Sequence, residues 1–166
     1  MAFRADAIRR RGPIAVLVPL LATLTACGGG ATASPGAAAS PSAAGSTVNV
    51  TLQEWSVVPA VASAAAGTVT FNVTNNGPED PHELVVFKTD LAHRDLPTRE
   101  DGGVDEEGEG VELIGEIEEF DPGATESADF ELAAGKYVLI CNLVEEENGE
   151  LESHYGLGMS VEFSVQ

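Results

Sequence analysis

Four side chains in this chain carry donor atoms that bind transition metals: His82, Cys141, His154 and Met159. Two imidazoles, a thiolate and a thioether make a mixed set. Imidazole suits Cu(II), sulfur suits Cu(I), and a trigonal arrangement of two His and one Cys with a weak axial Met serves both. Taken singly, each residue has a plainer use. His82 can be the polar start of a strand, Met159 core filler, and Cys141 a buried, inert thiol. Two counts narrow the choice. Met159 is the only methionine besides Met1, and Cys141 the only cysteine besides Cys27. If Cys27 is modified, no disulfide can form within the domain, and a single thiol in an exported protein needs a reason.

The elements that must position these residues read as strands. Val48–Trp55, Thr68–Thr74, His82–Lys88, Val111–Phe120, Thr125–Leu132, Lys136–Leu143 and Met159–Val165 are rich in Val, Ile, Thr or Phe, or alternate apolar with polar residues. Turn signals separate them, at Ala66-Gly67, Asn75-Asn76-Gly77-Pro78, Asp121-Pro122-Gly123 and Ala134-Gly135. About seven short strands punctuated in this way predict an all-β Greek-key sandwich with acidic loop insertions. No amphipathic helix and no internal repeat is visible. Thr89–Gly110 is acidic and poor in apolar residues, and reads as a surface excursion with room for one short helical turn. In this frame His82 opens a strand after a turn-rich stretch, Cys141 sits near the end of the penultimate strand, and His154 and Met159 sit on the connection to the last.

Three segments carry a family resemblance: Asn75-Asn76-Gly77 followed by Pro81-His82-Glu83-Leu84, then Gly135–Asn142 (GKYVLICN), then His154–Met159 (HYGLGM). From Val48 to the carboxy terminus the chain resembles the cupredoxins, in particular bacterial plastocyanin- or azurin-like blue copper proteins. The resemblance implies a cupredoxin-like sandwich, one copper ion cycling between Cu(I) and Cu(II), and His82, Cys141, His154 and Met159 as its ligands.

The chain departs from the family in one respect. Family members bring the second histidine within about five residues of the cysteine, whereas twelve residues separate Cys141 from His154. Asn148-Gly149 inside that interval is a strong type I′ hairpin signal. A two-residue turn there sets Glu147 opposite Glu150, Val144 opposite Ser153 and Leu143 opposite His154. Leu143 shares a strand face with Cys141, so this register returns His154 to the cysteine's side.

The same hairpin carries Glu145, Glu146, Glu147, Glu150 and Glu152. It sets like charges opposite each other, which is destabilising, and a mobile acidic loop is the plain expectation. The sharper one is a docking patch for a cationic redox protein or a membrane oxidase, beside the histidine expected to lie nearest solvent. By resemblance that histidine is the route for electrons, and an acidic rim would steer a cationic partner.

The amino-terminal 26 residues read as a signal peptide. Arg4 and Arg9–Arg11 form a basic start, and Ile14–Leu24 is an eleven-residue apolar core, too short to span a bilayer. Leu24-Thr25-Ala26-Cys27 resembles a lipobox, which implies cleavage before Cys27 and a lipid on its sulfur. An ordinary cleavage site with an incidental cysteine is the alternative. Residues 27–46 then form a Gly/Ala/Ser/Pro tether, with the 19 residues after Cys27 spanning roughly 25 Å, and 47–166 is the cupredoxin-like domain. The expected location is the extracytoplasmic face of the cell membrane, held by the Cys27 anchor.

Beyond residue 26 only Lys88, Arg94, Arg99 and Lys136 oppose 26 acidic residues. That balance excludes nucleic acid, whose binding rests on neutralised phosphates. His93 reads as surface, and Trp55 and Tyr137 as core. Asp101, Asp105, Glu106, Glu107 and Glu109 lack the spacing of an EF-hand loop. With no nucleophile–base pair or phosphate loop, an enzyme is not expected. Three functions are consistent with these features: one-electron transfer at the outer face of the membrane, copper capture and delivery with the same ligands, and a copper-free interaction domain on the same scaffold.

Overall fold

The structure is a computed structural model that describes residues 45–147 and 149–166. The signal-peptide expectation and all but the end of the tether lie outside the described residues. Ser46, the last residue assigned to the tether, already pairs with Val69 in a strand.

The strands are β1 (Ser46–Gln53), β2 (Ser56–Pro59), β3 (Ser63–Ala64), β4 (Gly67–Asn75), β5 (His82–Thr89), β6 (Val111–Phe120), β7 (Thr125–Leu132), β8 (Gly135–Ile140), β9 (Val144–Glu147), β10 (Glu150–Ser153) and β11 (Ser160–Val165), with one helical turn, α1 (His154–Leu157), before β11. They form two sheets, in the orders β2-β1-β4-β7 and β3-β11-β8-β5-β6, while β9 and β10 pair only with each other. β1 lies parallel to β4 and β3 parallel to β11; every other pairing is antiparallel. This is the expected all-β sandwich.

Alternation fixes which face is inside. Val48, Val50 and Leu52 of β1 and Val69, Phe71 and Val73 of β4 are buried, and meet Leu84, Val86, Tyr137, Leu139 and Phe163 of the other sheet. Phe71 stands edge-on to Phe130 and Phe163 at 5.7 and 5.5 Å. Each fully buried side chain of this size contributes about 1.5–3 kcal/mol.

β5 and β8 do not alternate. Leu84–Phe87 and Tyr137–Ile140 are buried throughout, so the outer face of the second sheet must be covered as well. Residues 90–110 provide the cover, which corrects the expectation of a polar surface excursion with a helical turn. Leu96 and Val104 are buried against Val85, Phe87, Val138, Ile140 and the ring of Tyr155. The segment is held by a Thr98–Val104 bridge rather than a helix. The apolar outer face supplies the physical reason, since it recruits the few apolar side chains the acidic segment has.

Candidate metal centre

His82 is placed by the turn before it. The buried Asn75 side chain donates from Nδ2 to the carbonyls of Asp80 (2.9 Å) and Phe120 (3.2 Å) and accepts from Gly77 N–H at 2.8 Å. A Cβ at Gly77 would come within 2.6 Å of a Glu54 carboxylate oxygen, so a side chain there would have to displace that carboxylate. Glu54 Oε1 accepts from the N–H groups of Asp80 (3.1 Å) and Glu79 (3.3 Å).

Cys141 follows directly on β8, where the expected strand to Leu143 stops at Ile140. Its N–H donates to Met159 O at 3.1 Å, Met159 N–H to His154 O at 3.0 Å, and His154 N–H to Leu143 O at 3.0 Å. These three bonds tie the backbones of Cys141, His154 and Met159 into one unit. The hairpin between them has the expected register: Val144 pairs with Ser153, Glu145 with Glu152, Glu146 with Leu151 and Glu147 with Glu150. Gly149 has φ 87°, the positive value a type I′ turn demands there; Asn148 lies outside the described residues. Ser153 caps α1, accepting from Gly156 N–H at 3.0 Å and donating to Gly102 O at 2.7 Å.

The result is convergence. His82, Cys141 and His154 are fully buried and bring their donor atoms within 4.8 Å of one another. The two Nδ1 atoms are 3.2 Å apart, and Cys141 Sγ lies 3.3 Å from that of His154 and 3.9 Å from that of His82. A circle through these three atoms has its centre about 2.0 Å from each. Bonds of ~2.0–2.1 Å from imidazole nitrogen and ~2.3 Å from thiolate hold a zinc-sized ion, so the triangle admits one ion with little adjustment. Met159, fully buried, joins the core beside these residues.

The protonation states favour the same conclusion. Burial lowers the pKa of both histidines, and the charge of His154 lowers that of His82 further; both rings are therefore neutral and able to ligate. Burial pushes the Cys141 thiol up to about 12, so a cation must displace its proton. When both rings carry hydrogen on Nε2, two Nδ1 lone pairs face each other with a single thiol proton to share. A cation at the centre satisfies all three atoms at once.

Several positioning residues escaped the sequence reading. Asn142 N–H donates to Glu83 Oε1 at 3.0 Å, and its side chain clasps Val104 through N–H···Oδ1 (2.6 Å) and Nδ2–H···O (3.1 Å) and reaches Glu106 Oε1 at 3.0 Å. The 90–110 segment is thereby fastened to the residue after Cys141. Burial, together with the charges of Glu116, Glu106 and Glu119, raises the Glu83 carboxyl to about 7 against the opposing Asn142 hydrogen bond. A polar residue directly after the cysteine was a signal for Asn142; nothing in the sequence signalled Glu54.

Three expectations require correction. His154 does not lie nearest solvent. It is fully buried, with Trp55 edge-on at 5.0 Å and Glu145 Oε2 3.4 Å from its Nε2, because the inserted residues fold over the ring as a hairpin. Trp55 sits in the β1–β2 turn, half-buried, rather than in a strand core. His93 is not a free surface residue, since its Nδ1 meets Ser160 Oγ at 2.9 Å.

No protein-family model and no curated protein matches the chain. Among solved structures it is similar to a dithionite-reduced auracyanin from Roseiflexus castenholzii (18% identity, TM-score 0.49, 73% of this chain and 97% of that one). It is similar also to auracyanin A, described as a "blue" copper protein, from Chloroflexus aurantiacus (22%, 0.49, 74% and 100%), and to rusticyanin from Thiobacillus ferrooxidans (12%, 0.48, 74% and 77%).

Proposed function

We propose that this chain is a type 1 copper protein that carries single electrons, in which His82 Nδ1, His154 Nδ1 and Cys141 Sγ would hold the ion and Met159 would add a weak thioether donor. The observation that carries this reading is the triangle of two imidazole nitrogens and one sulfur around a centre about 2.0 Å from each. Two His, one Cys and a long thioether are the donor set of blue copper. Copper bound there supplies a Cu(II)/Cu(I) couple that gains and loses one electron. The protein's part is to hold the donors still. Both sheets, the Asn75 turn, the Asn142 clasp and the Cys141–Met159–His154 backbone bonds fix positions that neither oxidation state has to build.

Burial favours this function over copper delivery. All three donors are inaccessible to solvent, so an acceptor cannot reach the ion by exchanging ligands at an exposed edge. The inward convergence of the donors likewise disfavours a copper-free interaction domain. Adding Cu(II) to the metal-free protein and recording its visible spectrum tests the proposal. An intense thiolate-to-copper band with a reversible one-electron couple is expected, and colourless protein after copper addition would refute it.

Export and anchoring belong to the same proposal, supported by the basic start, the apolar run and the Cys27 motif. The expected outcome is that wild-type protein partitions into the detergent phase and Cys27→Ser into the aqueous phase. Equal partitioning would remove the anchor. The acidic hairpin supports docking of a cationic redox protein or a membrane oxidase over the buried His154.

A further inference from the structure

Each imidazole at the centre turns Nδ1 inward, which leaves two Nε2 atoms to account for. Both are buried and without a hydrogen-bond partner, yet each faces a carboxylate. Glu54 Oε1 lies 4.0 Å from His82 Nε2, and Glu145 Oε2 lies 3.4 Å from His154 Nε2. The two acids come from unrelated places. Glu54 stands in the β1–β2 turn, its oxygen fixed by the N–H groups of Glu79 and Asp80. Glu145 stands in β9, in the inserted hairpin.

Neither carboxylate is neutralised by a basic residue among the described ion pairs. The two Lys or Arg pairs are Arg99–Asp101 and Lys136–Asp90. A buried ring nitrogen close to a carboxylate that no basic residue neutralises is the one that carries the hydrogen, and the carboxylate raises the basicity of the opposite nitrogen.

We propose that Glu54 and Glu145 are positioning residues that act through His82 and His154, holding hydrogen on Nε2, offering Nδ1 to the metal and biasing the centre toward its oxidised state. The bias rests on the copper reading above. The thiolate and two carboxylates leave one uncompensated negative charge around Cu(II) and two around Cu(I), so loss of an electron relieves repulsion. The centre is therefore set as an electron donor of low potential. Glu54, 15% exposed, exerts the stronger effect; Glu145, 42% exposed, is more screened.

Two measurements on the full chain decide this. In the copper-loaded protein, Glu145→Gln is expected to shift the Cu(I)-over-Cu(II) binding ratio about tenfold toward Cu(I), a rise of about 59 mV for one electron. Glu54→Gln is expected to shift it further, with the visible band retained in both. Unchanged potentials in variants that keep the band would overturn the proposal. In the metal-free protein, imidazole nitrogen NMR is expected to find both rings protonated on Nε2, and the affected ring of mixed tautomer in Glu54→Ala or Glu145→Ala. Mixed tautomers already present in the wild type would also overturn it. Because the second measurement needs no copper, it decides the role of the carboxylates even if the wild type shows no blue band, a result that would sink only the copper reading.

Discussion

The backbone N–H of His154 donates to the carbonyl of Leu143 at 3.0 Å, so the inserted segment leaves and re-enters the centre at one point. The twelve residues between cysteine and histidine are thereby reduced, geometrically, to a closed loop. The turn at its tip sets the register in which the two strands pair. Gly149 holds φ 87° there with open space around its Cα, so a side chain fits but the backbone of a β-branched residue resists. Gly149→Val is expected to destabilise the hairpin by about 1–2 kcal/mol, and Gly149→Asn by less. Faster amide exchange at Leu151 and faster copper loss in the valine variant would show it; exchange unchanged from wild type would detach the turn from the site.

The ligand roles separate by chemistry. Cys141→Ser removes the only thiol among the four candidate ligands, and its expected outcome is complete loss of the blue band. Met159→Leu nearly conserves volume in a core where such exchanges cost under about 1.5 kcal/mol. Copper should remain, with a higher potential because a donor to the oxidised ion has gone. Voltammetry of the two variants checks both statements, and a serine variant as blue as the wild type would refute the ligand assignment.

Steering is a separate matter from ligation. Glu145, Glu146, Glu150 and Glu152 lie on the hairpin that covers His154, in a domain with four basic residues in all. Association with a cationic redox partner should therefore slow as salt rises, because the Debye length shrinks from about 10 Å at 0.1 M to about 3 Å at 1 M. Stopped-flow rates across that range measure it. A rate indifferent to salt would leave the hairpin as cover alone.

Much of this architecture was legible in residue pattern, and what was missed has a physical explanation. The alternation of Val48, Val50 and Leu52 and of Val69, Phe71 and Val73 fixed two strands, and the Asn-Gly signal fixed the hairpin register to the residue. The 90–110 segment misled because its composition is acidic while its fold depends on two side chains, Leu96 and Val104. The clue lay elsewhere, in the unbroken apolar runs of β5 and β8, which announce burial on both faces. Glu54 could not be found from sequence because its role depends on a turn that brings it across the sandwich to His82. The burial of His154 was missed because pairing register says where a strand returns, not what the loop lies upon.

The two plugging residues give a stability test. Leu96 is 5% exposed and Val104 fully buried, and Asn142 secures Val104 from both sides. Leu96→Ala is expected to cost about 2–5 kcal/mol, with Val104→Ala smaller for its fewer methyl groups. Chemical denaturation of the metal-free variants reads this directly. A cost near zero for Leu96→Ala would restore the segment to a surface excursion.

Tyr137 supplies a pH dependence remote from the centre. Its ring is 2% exposed, its hydroxyl donates to Ala133 O at 2.8 Å, and burial, then the charge of Glu112, raises its pKa above the ordinary 10.0. Below pH 10 the phenol is protonated in both folded and unfolded chains, and it contributes no pH dependence. Above pH 10 the unfolded chain loses the proton while the folded one keeps it, so stability falls as pH rises from 10 toward the raised folded value. Tyr137→Phe lacks the hydrogen bond, at a cost of about 1 kcal/mol, but also lacks the ionisation. The wild type should therefore exceed the phenylalanine variant in stability at pH 8, and that margin should narrow or reverse by pH 11. Urea midpoints at the two pH values measure it, and a margin that stays constant would mean the phenol ionises as easily inside the sandwich as in water.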